Sequence, residues 1–198
     1  MIAKRLFDLL ASGLGLVLLS PFLLLIALGV KIDSPGPVFF RQERVGQYGR
    51  VFRIHKFRTM TTDAERNGLQ ITVGADARIT RIGGILRKYK LDELPQLIDV
   101  LHGDMSLVGP RPEVPRYVAC YPEEARKVVL SVRPGITDRA SIEFKDESRI
   151  LGLAEDPHRA YVEQVLPVKL KYYVDYVRQR TFFGDLKIIL ATLVAVVQ

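Results

Sequence analysis

Two adjacent carboxylates, Asp92 and Glu93, are the residues in this sequence best suited to carry chemistry. They lie in the stretch KLDELPQLIDVL, whose apolar spacing predicts a helix from about Asp92 to Leu101. At a helix N-terminus the helix dipole favours ionised carboxylates. An ionised aspartate can attack phosphorus, and it can also hold Mg²⁺ together with substrate phosphates. An acidic first turn is also a common helix cap, so the pair alone leaves catalysis and capping open.

Short elements on both sides of this helix would position the pair. Gly103 is suited to end the helix, and Gly109 to Pro112 form a rigid Gly-Pro-Arg-Pro loop. Strands are predicted at 38–40 and 51–54, joined by a turn at 46–49, and a further strand at 140–144. Helices are predicted at 79–86, 117–129 and 158–179. The pattern therefore predicts a mostly helical α/β fold with short strands.

An uncharged apolar run extends from Leu9 to Val30. As a helix it would be roughly 33 Å long, close to the hydrocarbon thickness of a bilayer. The run is too long for a secretory signal peptide, and the residues after it do not resemble a cleavage site. Lys4 and Arg5 precede it, further basic residues follow it, and positive charge favours the cytoplasmic side at both ends. Lys4, Arg5 and Asp8 are placed where charged side chains could anchor the helix among lipid headgroups.

A Ser20-Pro21 pair lies at the middle of this run. Because Pro21 has no N–H, the carbonyl of Val17 loses its helical donor, and the Ser20 hydroxyl is a group that could replace it. A sharp break here would give a re-entrant hairpin with both ends on one side of the membrane. A mildly kinked spanning helix is the alternative, and the residues alone leave both open.

The composition limits the function classes. The chain has 198 residues, of which 48% are hydrophobic, with a net charge of +7 and a pI of about 9.6. A basic balance favours a polyanionic partner: nucleic acid, an anionic membrane face or phosphorylated substrates. The single cysteine, Cys120, excludes an intrachain disulfide, and the three histidines have no metal-ligand spacing.

The C-terminal stretch from Leu186 to Val197 is apolar but too short to span a bilayer. Aromatic and basic residues precede it, a mixture that fits an amphipathic helix lying in the membrane interface. An ordinary core helix is the alternative.

Residues 90–112, KLDELPQLIDVLHGDMSLVGPRP, resemble the signature of the bacterial sugar transferases, the monotopic phosphoglycosyl transferases. Segments similar to that family occur in the same order along nearly the whole chain. They are KRLFD, the Ser-Pro pair, SPGPVFFRQERVG, KFRTM, DARITRIGGILRK, RPGIT and RTFFGDLKIIL.

The resemblance implies transfer of a sugar-1-phosphate from a UDP-sugar to undecaprenyl phosphate, with release of UMP. It implies a cytoplasmic-face location on the bacterial inner membrane and a covalent phosphosugar on Asp92, with Glu93 as partner and Mg²⁺ as cofactor held by both. It also implies that residues 1–32 form a re-entrant membrane helix broken at Ser20-Pro21. Residues 33–198 would then form a small cytoplasmic catalytic domain with interfacial amphipathic helices.

Both substrates of such an enzyme carry phosphates, so basic side chains are expected around the carboxylates. Arg111, between two prolines, is the first candidate for a phosphate ligand, and Arg87 is the second. Lys56 and Arg58 in HKFRTM are weaker candidates.

Two features depart from the family pattern. Asp99 stands where related sequences more often carry asparagine, so it belongs either to the site or to the surface. The segment DRASIEF replaces a glycine-containing segment, which leaves the sugar open. The competing function is a non-catalytic, basic, membrane-associated scaffold. Nucleic-acid binding is disfavoured because the apolar segments would have no role in it.

Overall fold

A single long helix, α1 (Ile2–Asp33), begins the chain, and most of its large apolar side chains are exposed. In the computed structural model, which describes residues 2–62, 76–143 and 151–197, it is the one helix long and apolar enough to cross a membrane. Helical conformation continues through Ser20 and Pro21. Ser20 Oγ donates to the Val17 carbonyl at 2.8 Å, so the predicted replacement of the lost donor is confirmed. The predicted break and the re-entrant course remain predictions.

Both ends of α1 pack against the rest of the chain. Near its start, the Arg5 guanidinium donates to the carbonyl of Val100 at 2.9 Å. At its end, Val30 is buried in a cluster with Phe57, and the Asp33 carboxylate accepts the Ile82 N–H at 3.0 Å. Both ends of α1 are therefore attached to one body, while apolar side chains remain exposed along the helix.

The predicted hairpin is confirmed as β1 (Phe39–Val45) and β2 (Val51–Phe57), which pair antiparallel around a short 3₁₀ turn, Gln47–Gly49. The predicted helix that follows is also confirmed as α2 (Arg81–Lys88), with the Thr80 hydroxyl accepting the N–H of Gly83 as its N-cap. Phe57 and Leu86 bury the contact between the hairpin and α2.

Next come α3 (Gln96–His102) and two short parallel strands, β3 (Ser106–Val108) and β4 (Gly135–Thr137). Gly103 ends α3 with φ +92°, as predicted. The predicted strand at 140–144 is wrong over its described residues, because these lie in helix α6 (Arg139–Glu143); residue 144 lies outside the described part. A helix forms because the Asp138 carboxylate accepts the Ser141 N–H at 3.0 Å, which is an N-capping bond.

The largest core lies among α4 (Pro115–Val118), α5 (Glu123–Val129), α7 (Pro157–Ala160) and α8 (Leu166–Gln179). The last helix, α9 (Phe182–Val197), lies outside this core. The helix predicted at 117–129 is interrupted at Pro122, which cannot donate into the preceding turn. Helical structure at 158–179 is confirmed, with one π turn, Tyr161–Val165, between α7 and α8. The described part is therefore mostly helical with short strands, as predicted.

Candidate active site

The two carboxylates lie in a 3₁₀ turn, Leu91–Glu93, directly before α3. Lys90 adopts a left-handed conformation with φ 54° and sets the chain into this turn. Pro95 then precedes the first residue of α3, Gln96. The predicted helix start near Asp92 is thus four residues too early, because the 3₁₀ turn and the proline separate the acidic pair from α3.

Glu93 is held by two cations from distant parts of the chain. Arg111 Nη1 lies 3.0 Å from Glu93 Oε2, and Arg111 Nη2 donates to Oε1. Lys56 Nζ in β2 donates to the same Oε1 at 2.7 Å. Lys56, Arg111 and Glu93 together carry one net positive charge beside Asp92, and partly buried cations of this kind suit a phosphorylated ligand. Arg111 and Lys56 are thus brought to the acidic pair.

The pKa of Glu93 follows from its contacts with Arg111 and Lys56. Burial alone would raise the pKa of Glu93, but the charges of Arg111 and Lys56 outweigh burial and hold that pKa well below its usual value. The Glu93 carboxylate in turn raises the pKa of Arg111 well above its usual value. Both groups therefore stay charged at physiological pH.

Asp92 has a different environment. Its residue is 9% exposed, and no residue in the described part of the chain donates a hydrogen bond to its carboxylate. Burial raises the pKa of Asp92, Lys56 opposes that shift, and the neighbouring Glu93 charge adds to it. The result is a poorly solvated carboxylate that accepts no hydrogen bond from the residues the structure describes, which suits a nucleophile.

A close backbone contact positions Arg111. The N–H of Gly109 donates to Thr137 O at 3.1 Å, and the N–H of Gly135 donates to Pro110 O at 3.0 Å. A Cβ added at Gly135 would lie 2.1 Å from the Gly109 nitrogen, so only glycine fits there. The loop 109–112, which carries Arg111 and is called the arginine loop below, is therefore fixed to the end of the β3–β4 pair.

Arg87 and Arg58 are placed differently from each other. Arg87 in α2 lies near enough to Asp92 to lower its pKa, although burial has the larger and opposite effect. Arg58 is not brought to the carboxylates: it is 4% exposed and donates to the carbonyls of Ser34 at 2.7 Å and Val30 at 3.2 Å. Arg58 ties the end of α1 to β2, so Arg87 lies near the acidic pair and Arg58 does not; phosphate binding by Arg87 stays a prediction.

The three charged residues predicted as membrane anchors make bonds within the protein. Lys4 Nζ lies 2.6 Å from the Asp185 carboxylate. Asp8 is 2% exposed and accepts the Ser106 hydroxyl at 2.8 Å, so it does not face lipid headgroups as expected. Because a buried carboxylate must be hydrogen-bonded, Asp8 binds the domain through Ser106 and Leu107. These bonds attach the start of α1 to β3.

Several buried charges near the site were not found from sequence. Asp99 is 1% exposed and binds His55, with 2.6 Å to Nδ1 and 2.8 Å to the backbone nitrogen, so it belongs neither to the acidic pair nor to the surface. Tyr161 donates to Glu113 in a second buried cluster. Tyr161 and Glu113 lie 48 positions apart in the sequence, so no local spacing predicts that they pair. Cys120 is exposed and lies outside both clusters.

Mg²⁺ would have to share its ligands with a substrate here. Among the described residues no group of three or more histidine, cysteine or acidic side chains could hold a metal. Mg²⁺ commonly binds one or two carboxylates and completes its shell with substrate phosphates and water. Asp92, which accepts no hydrogen bond from the described residues, fits that arrangement, while both Glu93 oxygens are occupied by cations.

The family model described as bacterial sugar transferase matches residues 1–198. The chain belongs to the bacterial sugar transferases. The match covers α1, the acidic pair and the arginine loop together.

Individual relatives of this bacterial sugar transferase carry related names. It is 39% identical over 98% of its length to a UDP-glucose:undecaprenyl-phosphate glucose-1-phosphate transferase of Xanthomonas campestris pv. campestris, and covers 39% of that protein. It is 39% identical over 96% of its length to a protein of the same name from Caulobacter vibrioides, covering 67% of it. It is also 45% identical over 70% of its length to the UDP-N-acetylgalactosamine-undecaprenyl-phosphate N-acetylgalactosaminephosphotransferase of Aeromonas hydrophila, covering 33% of it. The chain thus spans between a third and two thirds of these relatives.

Proposed function

We propose that this bacterial sugar transferase moves a sugar-1-phosphate from a UDP-sugar to undecaprenyl phosphate and releases UMP. One observation carries the proposal: Asp92, buried and without a hydrogen-bond donor among the described residues, adjoins Glu93, which Arg111 and Lys56 hold. A nucleophilic carboxylate beside fixed cations suits attack on a phosphate ester. The names of the relatives support the same donor and acceptor classes.

The reaction has two displacement steps. A carboxylate oxygen of Asp92 attacks the sugar-bearing phosphorus, the bond to the bridging oxygen breaks, and UMP leaves with that oxygen. A phosphate oxygen of undecaprenyl phosphate then attacks the same phosphorus and releases Asp92 as a carboxylate. Arg111 and Lys56 stabilise negative charge on the transferred group, and Glu93 keeps both cations in position.

A divalent cation fits this scheme as a substrate-bridging cofactor. Mg²⁺, when bound, neutralises the diphosphate and stabilises the departing UMP. Asp92 would hold it, and Glu93 would join it only by giving up a bond to Lys56 or Arg111. The residues themselves bind and orient the phosphates.

The membrane placement follows from α1. A helix that crossed the bilayer would separate its ends by roughly 30 Å of hydrocarbon. Both ends of α1 instead bind the same domain, Arg5 to α3 and Asp33 to α2. This supports a re-entrant α1 and a catalytic domain on one face, which the basic flanks make the cytoplasmic face. The exposed apolar side chains of α9, Phe183 and Leu190 among them, support its placement in the interface.

The test is UMP release from a panel of UDP-sugars, with Mg²⁺ and with or without undecaprenyl phosphate, by the full chain in lipid nanodiscs. We expect one donor class to give sustained UMP release only when the lipid is present. Asp92→Asn should reduce this rate at least about 1,000-fold. Asp104→Asn, a nearby acidic residue outside the site, is the matched control and should keep full activity. Equal turnover by Asp92→Asn and wild type would remove Asp92 as the nucleophile.

A further inference from the structure

A cavity lies beside the first turns of α1, separate from the carboxylate pair. Its volume is about 250 Å³. Its walls come from α1, the β1–β2 turn, β3, the segment 131–133 and the end of α8. None of Lys56, Asp92, Glu93 or Arg111 lines it. The cavity is therefore not the phosphate site described above.

The charge of this cavity is strongly positive. Lys4, Arg5, Arg133 and Arg180 line it, against one carboxylate, that of Asp8. Lys4 is neutralised by Asp185 at 2.6 Å. In the described ranges, none of the three arginines has a carboxylate within ion-pair distance.

Two of these arginines converge on one turn without an acid to separate them. Arg133 Nε donates to Gly103 O at 2.8 Å, and Arg5 donates to Val100 O, just before that glycine. The backbone carbonyls orient both guanidinium groups but cannot neutralise their charge. Like charges held together in this way favour an anionic ligand, and arginine forks match phosphate oxygens well.

The cavity lies where the apolar surface of the protein begins. Leu6, directly after Arg5, is 56% exposed and belongs to the exposed apolar face of α1. Arg180 is followed by Phe182 and Phe183, the latter 74% exposed. The ring of Phe182 also contacts Phe7 of α1, with 5.5 Å between ring centroids. Arg5 and Arg180 therefore each adjoin exposed apolar surface, as cations do where hydrocarbon gives way to headgroups.

We propose that this cavity binds the phosphodiester headgroup of an anionic glycerophospholipid such as phosphatidylglycerol. Its volume corresponds to about eight waters, enough for a phosphoglycerol group. The phosphate binds among the three arginines of the cavity, Arg5, Arg133 and Arg180, and the lipid tails follow the exposed apolar side chains of α1 and α9. The bound lipid holds the start of α1 at a fixed depth.

Binding of short-chain dioctanoyl phosphatidylglycerol to the full chain, measured by native mass spectrometry from nanodiscs of phosphatidylcholine, tests the proposal. No donor or acceptor substrate is present, so the result is independent of the transferase reaction. We expect one saturable phosphatidylglycerol per chain and no competition by phosphatidylcholine. The double variant Arg133→Gln, Arg180→Gln should weaken binding at least about tenfold. The matched control Arg126→Gln, Lys171→Gln removes two exposed cations outside the cavity and should bind as wild type.

A second variant keeps the test valid if the Arg133→Gln, Arg180→Gln protein does not fold. Ser131→Asp places a negative charge in the cavity without touching an arginine, and we expect it to weaken binding similarly. Equal binding by wild type and both cavity variants would overturn the proposal, as would equal weakening in the control pair. Competition by glycerol phosphate at much higher concentration than lipid would support it. Saturation by inorganic phosphate with no phosphatidylglycerol binding would make this a soluble-anion site and overturn the lipid assignment.

Discussion

At the residue scale, Arg111 makes two parallel bonds to Glu93 that a point charge cannot copy. We therefore expect Arg111→Lys to lower kcat/KM for the UDP-sugar about 10- to 100-fold. Steady-state UMP release measures this, and circular dichroism checks that the variant folds. Arg116→Lys, on the exposed side of α4, is the matched control. Unchanged kinetics in Arg111→Lys would assign Arg111 to structure alone.

Asp92 also predicts a pH dependence of stability. Because burial raises its folded-state pKa above the ordinary value, the unfolded chain loses this proton first as pH rises, and ionisation then disfavours the folded state. Asp92→Asn removes that cost. Its Tm should match wild type below about pH 4 and exceed it by roughly 2–4 °C at neutral pH.

Thermal unfolding of both proteins across this pH range is the measurement. Glu93→Gln should behave in the opposite way, with a lower Tm at neutral pH, because the pKa of Glu93 is held well below its usual value and its charge stabilises the fold. An Asp92→Asn variant less stable than wild type at neutral pH would show that Asp92 is instead a stabilising partner in the native charge network.

The site residues differ in how far sequence could predict them. Asp92, Glu93 and Arg111 lie in one 23-residue stretch, and the structure joins Arg111 to Glu93. Lys56 and Arg58 carry the same charge two positions apart, and only the fold shows that Lys56 reaches Glu93 while Arg58 reaches the end of α1. The pairing of His55 with Asp99 needed a contact across 44 positions, which no local pattern contains.

At the element scale, the Ser20-Pro21 pair controls the course of α1. Pro21→Ala restores an N–H to the Val17 carbonyl and favours a straight helix. If α1 is re-entrant, an N-terminal cysteine tag on the wild type should not be labelled from the periplasm. In Pro21→Ala, a measurable fraction of molecules should carry a tag that is labelled from the periplasm.

Labelling with a membrane-impermeant maleimide in intact cells distinguishes these states. Pro37→Ala, in the exposed segment after α1, is the control and should label as wild type. A wild-type tag that labels fully from the periplasm would contradict the re-entrant course.

Element prediction succeeded where local pattern matched the contacts that fold the chain. The hairpin and α2 follow from alternation and helical spacing, and both form as expected. The segment after β4 was predicted as a strand from its residue types, but the Asp138 cap makes it a helix. The apolar residues around Asp138 have no helical spacing, so the sequence does not predict that Asp138 caps a helix.

At the scale of the whole molecule, one long apolar helix is tied at both ends to a domain that carries the charged site. Arg58 and Asp33 fix the end of α1, and Arg5 and Asp8 fix its beginning. The face of α1 turned away from the domain carries exposed apolar side chains along its length, from Ile2 to Ile32. We propose that this arrangement holds Asp92 near headgroup height, where a polyprenyl phosphate can reach it without leaving the membrane.

A covalent phosphosugar on Asp92 is the central claim of this account. The most direct test is mass analysis of the full chain after incubation with Mg²⁺ and its UDP-sugar, without undecaprenyl phosphate, followed by digestion at mildly acidic pH. We predict one added sugar phosphate per chain, located on Asp92, absent from Asp92→Asn and discharged by adding the lipid. An unmodified Asp92 in a preparation that turns over both substrates would contradict the account.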